Sequence, residues 1–260
     1  MSATLMLHQG GTEVNREKLN ELVLPPPTRT WKPISHATVL DTALQTLQEA
    51  GYTVAKARLG VSREGQRFFG TLDLTTPLTP DGSVALAVGL RNSVDQSFPM
   101  GFCAGARVFV CDNLAFRSDL MVKRKHTLNG ASRFSSDIAH AVQSLQSFKE
   151  AETVRIARMQ ELTMTDAHAE SLMLRACVVR GIVGQRHLPL VYREWHEPKH
   201  AAFQPRTAWS LLNAFTTVLS ELQQKNPAEL AHRTMRLHAL LAPPQTDGLA
   251  IPDAKPALAI

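Results

Sequence analysis

The run Val84-Ala85-Leu86-Ala87-Val88-Gly89-Leu90 alternates large and small apolar residues at every step. A repeat of two belongs to an extended strand, so Val84, Leu86, Val88 and Leu90 share one face and Ala85, Ala87 and Gly89 the other. So small a second face implies that something lies close against it: a helix, another backbone or a ligand. The preceding segments alternate in the same way. In Tyr52 to Arg63, Ala55, Ala57, Leu59 and Val61 oppose Lys56, Arg58 and Ser62. In Arg67 to Leu74, Phe68, Leu72 and Leu74 oppose Arg67, Phe69, Thr71 and Asp73. Glu64-Gly65-Gln66 and the Pro- and Asp-Gly-containing stretch Thr76 to Gly82 read as turns. Arg107 to Cys111 supplies a fourth strand, reached through the polar connection Arg91 to Ser97. The pattern predicts an antiparallel meander.

Helical signals flank it. Ser35 is placed to cap a helix through about Ala50, with Gly51 at its C-terminal end. Ser135 or Ser136 opens a long helix to about Leu162 whose stripe is Ile138, Val142, Leu145, Phe148, Ile156 and Met159. Further helices are expected over Asp166 to Val179, Pro205 to Gln224 and Ala228 to Leu241, with Trp195, His196 and Pro198 in a loop. The predicted class is α+β, an N-terminal helix and a β-meander packed on a long helix, then a helical C-terminal part. Residues 1–33, with Pro25-Pro26-Pro27, read as an extended arm. Residues 34–134 form the helix-plus-sheet core, 135–242 a helical part on the same core, and 243–260 a flexible tail.

Composition narrows the class. Of 260 residues, 44% are hydrophobic and 20% charged, which describes a globular chain. Three cysteines, Cys103, Cys111 and Cys177, without CxxC pairing disfavour a disulfide framework and fit a reducing cytoplasm. The first residues lack a cationic stretch leading into a long apolar run, and no window approaches the length of a membrane span. A cytoplasmic protein without a membrane partner is expected. The net charge of +5 is compatible with a polyanionic partner and does not demand one.

No P-loop, dinucleotide-binding, HExxH or GxSxG motif is present, which disfavours the corresponding enzyme classes. Cys103, Cys111 and His126 offer zinc-type ligands, but their spacing is loose, and small free cysteines commonly fill gaps in a sheet. Neither a metal nor a cofactor is expected. Ser93, Ser97 or Cys111 beside Asp95 forms a candidate nucleophilic set. The simpler reading of Asn92, Ser93, Asp95 and Ser97 is a strand-end loop whose short polar side chains bond the backbone. Asp73, Asp81, Asp95, Asp112 and Asp119 are too scattered to suggest a metal-dependent nuclease. Cations decorate the strands and their ends: Lys56, Arg58, Arg63, Arg67, Arg91 and Arg107, followed by Lys123-Arg124-Lys125. With Phe69 among them, they form a candidate nucleic-acid surface combining phosphate attraction with base stacking. A solvated polar strand face is the plainer alternative.

The segment Arg91-Asn92-Ser93-Val94-Asp95-Gln96-Ser97, followed by Gly105 to Asn113, resembles the signature of the phage/plasmid-like DUF932 family of unknown function. In that signature an Asn-Ser-x-Asp-x-Ser segment precedes a strand ending in Cys-x-Asn. The matching positions are Asn92, Ser93, Asp95, Ser97, Cys111 and Asn113, with Leu114 where the family commonly has glycine. A later match, Thr207 to Ala214, carries Trp209 and Asn213. The resemblance implies a mobile-element context and carries over no catalytic residue. The element order is also similar in outline to single-strand annealing proteins of the Rad52 type, a topological likeness only. The expected function is a non-enzymatic DNA-binding accessory protein of a phage or plasmid, binding or annealing single strands as a homo-oligomer. The alternatives are a hydrolase or nuclease using Asn92, Ser93, Asp95 and Cys111, and a protein that docks on a host factor.

Overall fold

The computed structural model describes residues 12–108, 113–223 and 227–241. Strands β1 (Thr12–Val14), β2 (Val54–Ser62), β3 (Arg67–Pro77), β4 (Val84–Ser93), β5 (Met100–Val108) and β6 (Asn113–Arg124) form one sheet in chain order. Every neighbouring pair is antiparallel. The alternation in the sequence sets which face is which. Phe68, Leu72, Leu86, Val88, Phe102 and Ala104 come into register on the core face and are almost wholly buried. Between β2 and β3 the chain reverses through Arg63, Glu64 and Gly65, all at positive φ (50°, 56° and 84°). A glycine in the third of these positions avoids the Cβ strain of the left-handed region.

The strands extend further than their apolar parts. β4 continues through Arg91, Asn92 and Ser93, and β5 begins at Met100 rather than Arg107, so the polar connection shrinks to residues 94–99. Lys123 and Arg124, the start of the basic run, end β6. Cross-strand pairing with Gly101 and Met100 holds them extended. The stretch expected as an arm also holds structure. β1 pairs with β2, and α1 (Arg16–Asn20) buries Leu19 in the core.

Helix α2 (His36–Glu49) starts where expected. Ser35 Oγ accepts the Thr38 N–H at 3.0 Å, and Gly51 follows the helix at φ +81°. The expected long helix is instead two, α3 (Gly130–Gln143) and α4 (Leu145–Glu161). They meet at Ser144, whose N–H is shared between the carbonyls of His140 and Ala141. The two helices bury their stripes against different neighbours: Phe134, Ile138 and Val142 turn α3 toward α2 and β6, whereas Leu145, Phe148, Ile156 and Met159 line α4, which packs mainly on α7. Four more helices follow: α5 (Asp166–Val178), α6 (Leu188–His196), α7 (Ala208–Gln223) and α8 (Pro227–Leu241). Trp195 is therefore helical, a core residue whose indole N–H donates to Asp166 at 2.8 Å. One continuous apolar cluster runs from Leu19 to Leu241, joining sheet and helices. Among the described residues no helix is long and apolar enough to cross a membrane.

The small second face of β4 is covered, as its composition implied. Ala87 packs with Cys103 and with Met235 of α8. Beside it lies a buried ionic bridge. Asp73 accepts from Arg58 Nη1 at 2.8 Å and from Arg107 Nε at 2.6 Å, and all three side chains are at most 8% exposed. Two of the expected surface arginines are thus turned into the fold, because alanine and glycine leave room for their long stems along the sheet. Removing the carboxylate takes an ion-pair partner from two buried guanidinium groups at once, and breaking comparable buried pairs costs about 3–5 kcal/mol. Asp73→Ala should lower the urea midpoint by a corresponding amount with an unchanged m-value. A loss under about 1 kcal/mol, the range of exposed pairs, would refute this role.

Candidate nucleic-acid interface

The polar side chains between β4 and β5 hold their own loop together. Asp95 Oδ1 accepts the Ser97 N–H at 3.0 Å and the Ser97 hydroxyl, and its Oδ2 accepts Arg67 Nε at 2.7 Å. Ser93 Oγ accepts the Phe98 N–H at 3.1 Å and the Ser97 hydroxyl at 3.2 Å. Partial burial disfavours ionisation of Asp95, yet the bonds from Ser97 and Arg67 outweigh it and hold the carboxyl at about 2. Such a carboxylate is a poor proton acceptor at neutral pH. Gln96, at φ +63°, completes the turn.

What this loop presents is Phe98. Its ring lies 5.3 Å from that of Phe69, with the Arg91 guanidinium 5.5 Å and the Arg67 guanidinium 6.0 Å from its centroid. The register places Phe69, Arg91, Gly101 and Lys123 in one row across β3, β4, β5 and β6. A Cβ at Gly101 would come within 2.9 Å of both Cγ and Nε of Arg91, so the arginine lies across β5 where no side chain stands in its way. Arg67 is committed to Asp95. Arg91 has no acidic partner among the described residues, and burial lowers its pKa from the usual arginine value. The result is two aromatic rings at the end of the sheet flanked by guanidinium groups, a combination with the chemistry needed for base stacking and phosphate attraction.

A family model described as Domain of unknown function (DUF932) matches residues 24–241. The chain belongs to this family. No curated protein and no solved structure is a match, so the outline likeness to Rad52-type annealing proteins finds no support.

The remaining signature residues of this DUF932 member fall in separate parts of the chain. Asn113 opens β6 opposite Val108, and Cys111 lies outside the described residues. Trp209 and Asn213 sit in the helical part, where Asn213 Nδ2 donates to the Trp209 carbonyl at 2.9 Å, one turn back along α7. Of the other expected cations, Arg124 is paired with Asp137, while Lys56, Arg63 and Lys125 are exposed away from the row. Burial pushes the Cys103 thiol up to about 12, which disfavours its thiolate form. Among the described residues no three His, Cys, Asp or Glu side chains gather as metal ligands. Sequence reasoning missed Phe98, Gly101 and His36. The pattern Ser-Phe after the loop was the available sign for Phe98, whereas Gly101 acquires meaning only through its cross-strand partner.

Asn92 is buried and works as a clamp. Its Nδ2 donates to the Ile34 carbonyl at 2.9 Å and lies 2.9 Å from His36 Nδ1, while His36 Nε2 lies 2.8 Å from the Gly65 carbonyl. His126 Nδ1 accepts the Ile34 N–H at 2.9 Å, which makes its ring a neutral acceptor. Burial first, and the neighbouring His36 second, lower the His126 pKa to about 4. An unfolded histidine takes its proton near about 6.5. Between these values the unfolded chain binds the extra proton, so stability should fall as pH drops from about 6.5 toward 4. Urea unfolding across this range should show that slope, and His126→Gln should make it shallower. A variant as steep as the wild type would show that His126 is not the group responsible.

Proposed function

We propose that the chain is a DNA-binding accessory protein of a phage or plasmid that takes single-stranded nucleic acid on the Phe69–Phe98 end of its sheet, working as an oligomer. The reading rests above all on Arg91, a partly buried cation with no acid beside it among the described residues, laid over Gly101 and against the Phe98 ring. A guanidinium held without a carboxylate partner is ready for a phosphate, and neighbouring rings tolerate any base. The footprint is smaller than the sequence suggests. Arg58 and Arg107 are committed to Asp73, and Arg67 to Asp95, which leaves Phe98, Phe69, Arg91 and Lys123 as its centre. A hydrolase or nuclease on Asn92, Ser93 and Asp95 has weaker support, since their polar groups bond the loop and the strap around Ile34.

Fluorescence anisotropy with a labelled oligothymidine tests the reading. Affinity should fall with salt, and Arg91→Ala should reduce the slope of log affinity against log salt by about 0.7, the contribution of one single-strand phosphate contact. Phe98→Ala should cost about 1–3 kcal/mol of binding, the range for one stacked base. Undetectable binding of the wild type at low salt would end this interpretation.

A further inference from the structure

The row Phe69–Arg91–Gly101–Lys123 does not stop at the sheet edge. Lys123, its last member, also lines an open groove of about 760 Å³ between β6 and α3. β6 contributes Lys123 and Arg124 to this groove, and α3 contributes Ser136, Asp137, His140 and Gln143. Arg124 and Asp137 form a two-pronged ion pair, with Nη2 3.0 Å from Oδ1 and Nε on the other carboxylate oxygen. The pair fastens α3 to β6 and cancels its own charge. Lys123 then remains as the groove's exposed cation without an acidic partner among the described residues, beside exposed hydroxyl, imidazole and amide groups on Ser136, His140 and Gln143. Hydrogen-bonding side chains beside an unpaired lysine suit a sugar–phosphate chain, which brings both anionic oxygens and uncharged hydrogen-bonding atoms.

We infer that a bound single strand passes from the Phe98–Arg91 platform over β5 and Lys123 and continues into the groove between β6 and α3, so that the groove is the second half of one nucleic-acid track. This extends the single-strand reading above and depends on it. β4 and β6 lie two strand spacings apart, about 10 Å, a gap that Arg91 begins to bridge because position 101 has no side chain. Gly101 is accordingly a positioning residue for the crossing. The groove also runs along a sheet edge, and an extended protein segment adding to β6 is the competing occupant.

The test uses the full chain and labelled oligothymidines of about four and about twelve nucleotides, the span of known single-strand site sizes. Gln143→Glu places a negative charge on an exposed groove position without touching the core. It should weaken the longer oligonucleotide about fivefold and leave the shorter one unchanged, whereas Arg91→Ala should weaken both. If Gln143→Glu leaves both lengths unaffected while Arg91→Ala still acts, the platform stands and the groove proposal is overturned. The groove proposal falls equally if Gln143→Glu changes the oligomeric state in light scattering with oligonucleotide affinity intact, the mark of a strand-adding protein contact. Failure of the wild type to bind either length would instead remove the parent reading, and the groove with it.

Discussion

The carboxylate of Asp73 is the point on which the sheet's second face depends. It lies on β3 and accepts from Arg58 on β2 and Arg107 on β5, so one side chain links three strands where hydrophobic packing is thin. Alanine and glycine on β4 give the arginines space, and the arginines in turn need an acid, because a guanidinium out of water without one is prohibitively costly. The core face has no such requirement. There Phe68, Leu72, Leu86 and Val88 exclude water by size alone. The sheet is therefore held by two different means on its two sides, and the ionic side constrains which cations remain for a ligand.

Much of the architecture was visible in the order of residues, since parity along a strand and caps on a helix are local properties. The faces of β3 and β4, the Ser35 cap and the helix ends near 166 and 241 followed directly. The failures have two causes. β6 and the extension of β4 through Ser93 are fixed by partners distant in sequence, whereas the helix of Trp195 is short, and its apolar spacing of Leu188, Val191 and Trp195 is interrupted by Pro189 in its first turn. The break at Ser144 was hidden because the two helices carry stripes of similar spacing that turn toward different neighbours.

The candidate site was legible by residue type and illegible by commitment. Residue type alone does not separate Arg58, sealed against Asp73, from Arg91, which meets a ring and a glycine. Nor does it reveal that the densest polar stretch is mostly scaffold. Asn92 fastens the segment around Ile34, while Ser93, Asp95 and Ser97 shape the turn that carries Phe98. The signature residues near this end of the sheet thus act mainly by setting the positions of others, and the DUF932 match, spanning residues 24–241, takes in both the sheet and the helical part.

The connection of residues 94–99 also acts as a ruler. Its length determines that Gly101, and not Phe102 or Met100, stands opposite Arg91. Because successive residues of a strand point to opposite sides, a slip of one position in β5 would put a bulky side chain beneath the guanidinium and carry Phe102 out of the core. Inserting or deleting one residue in this connection would therefore disturb both faces of β5 at once.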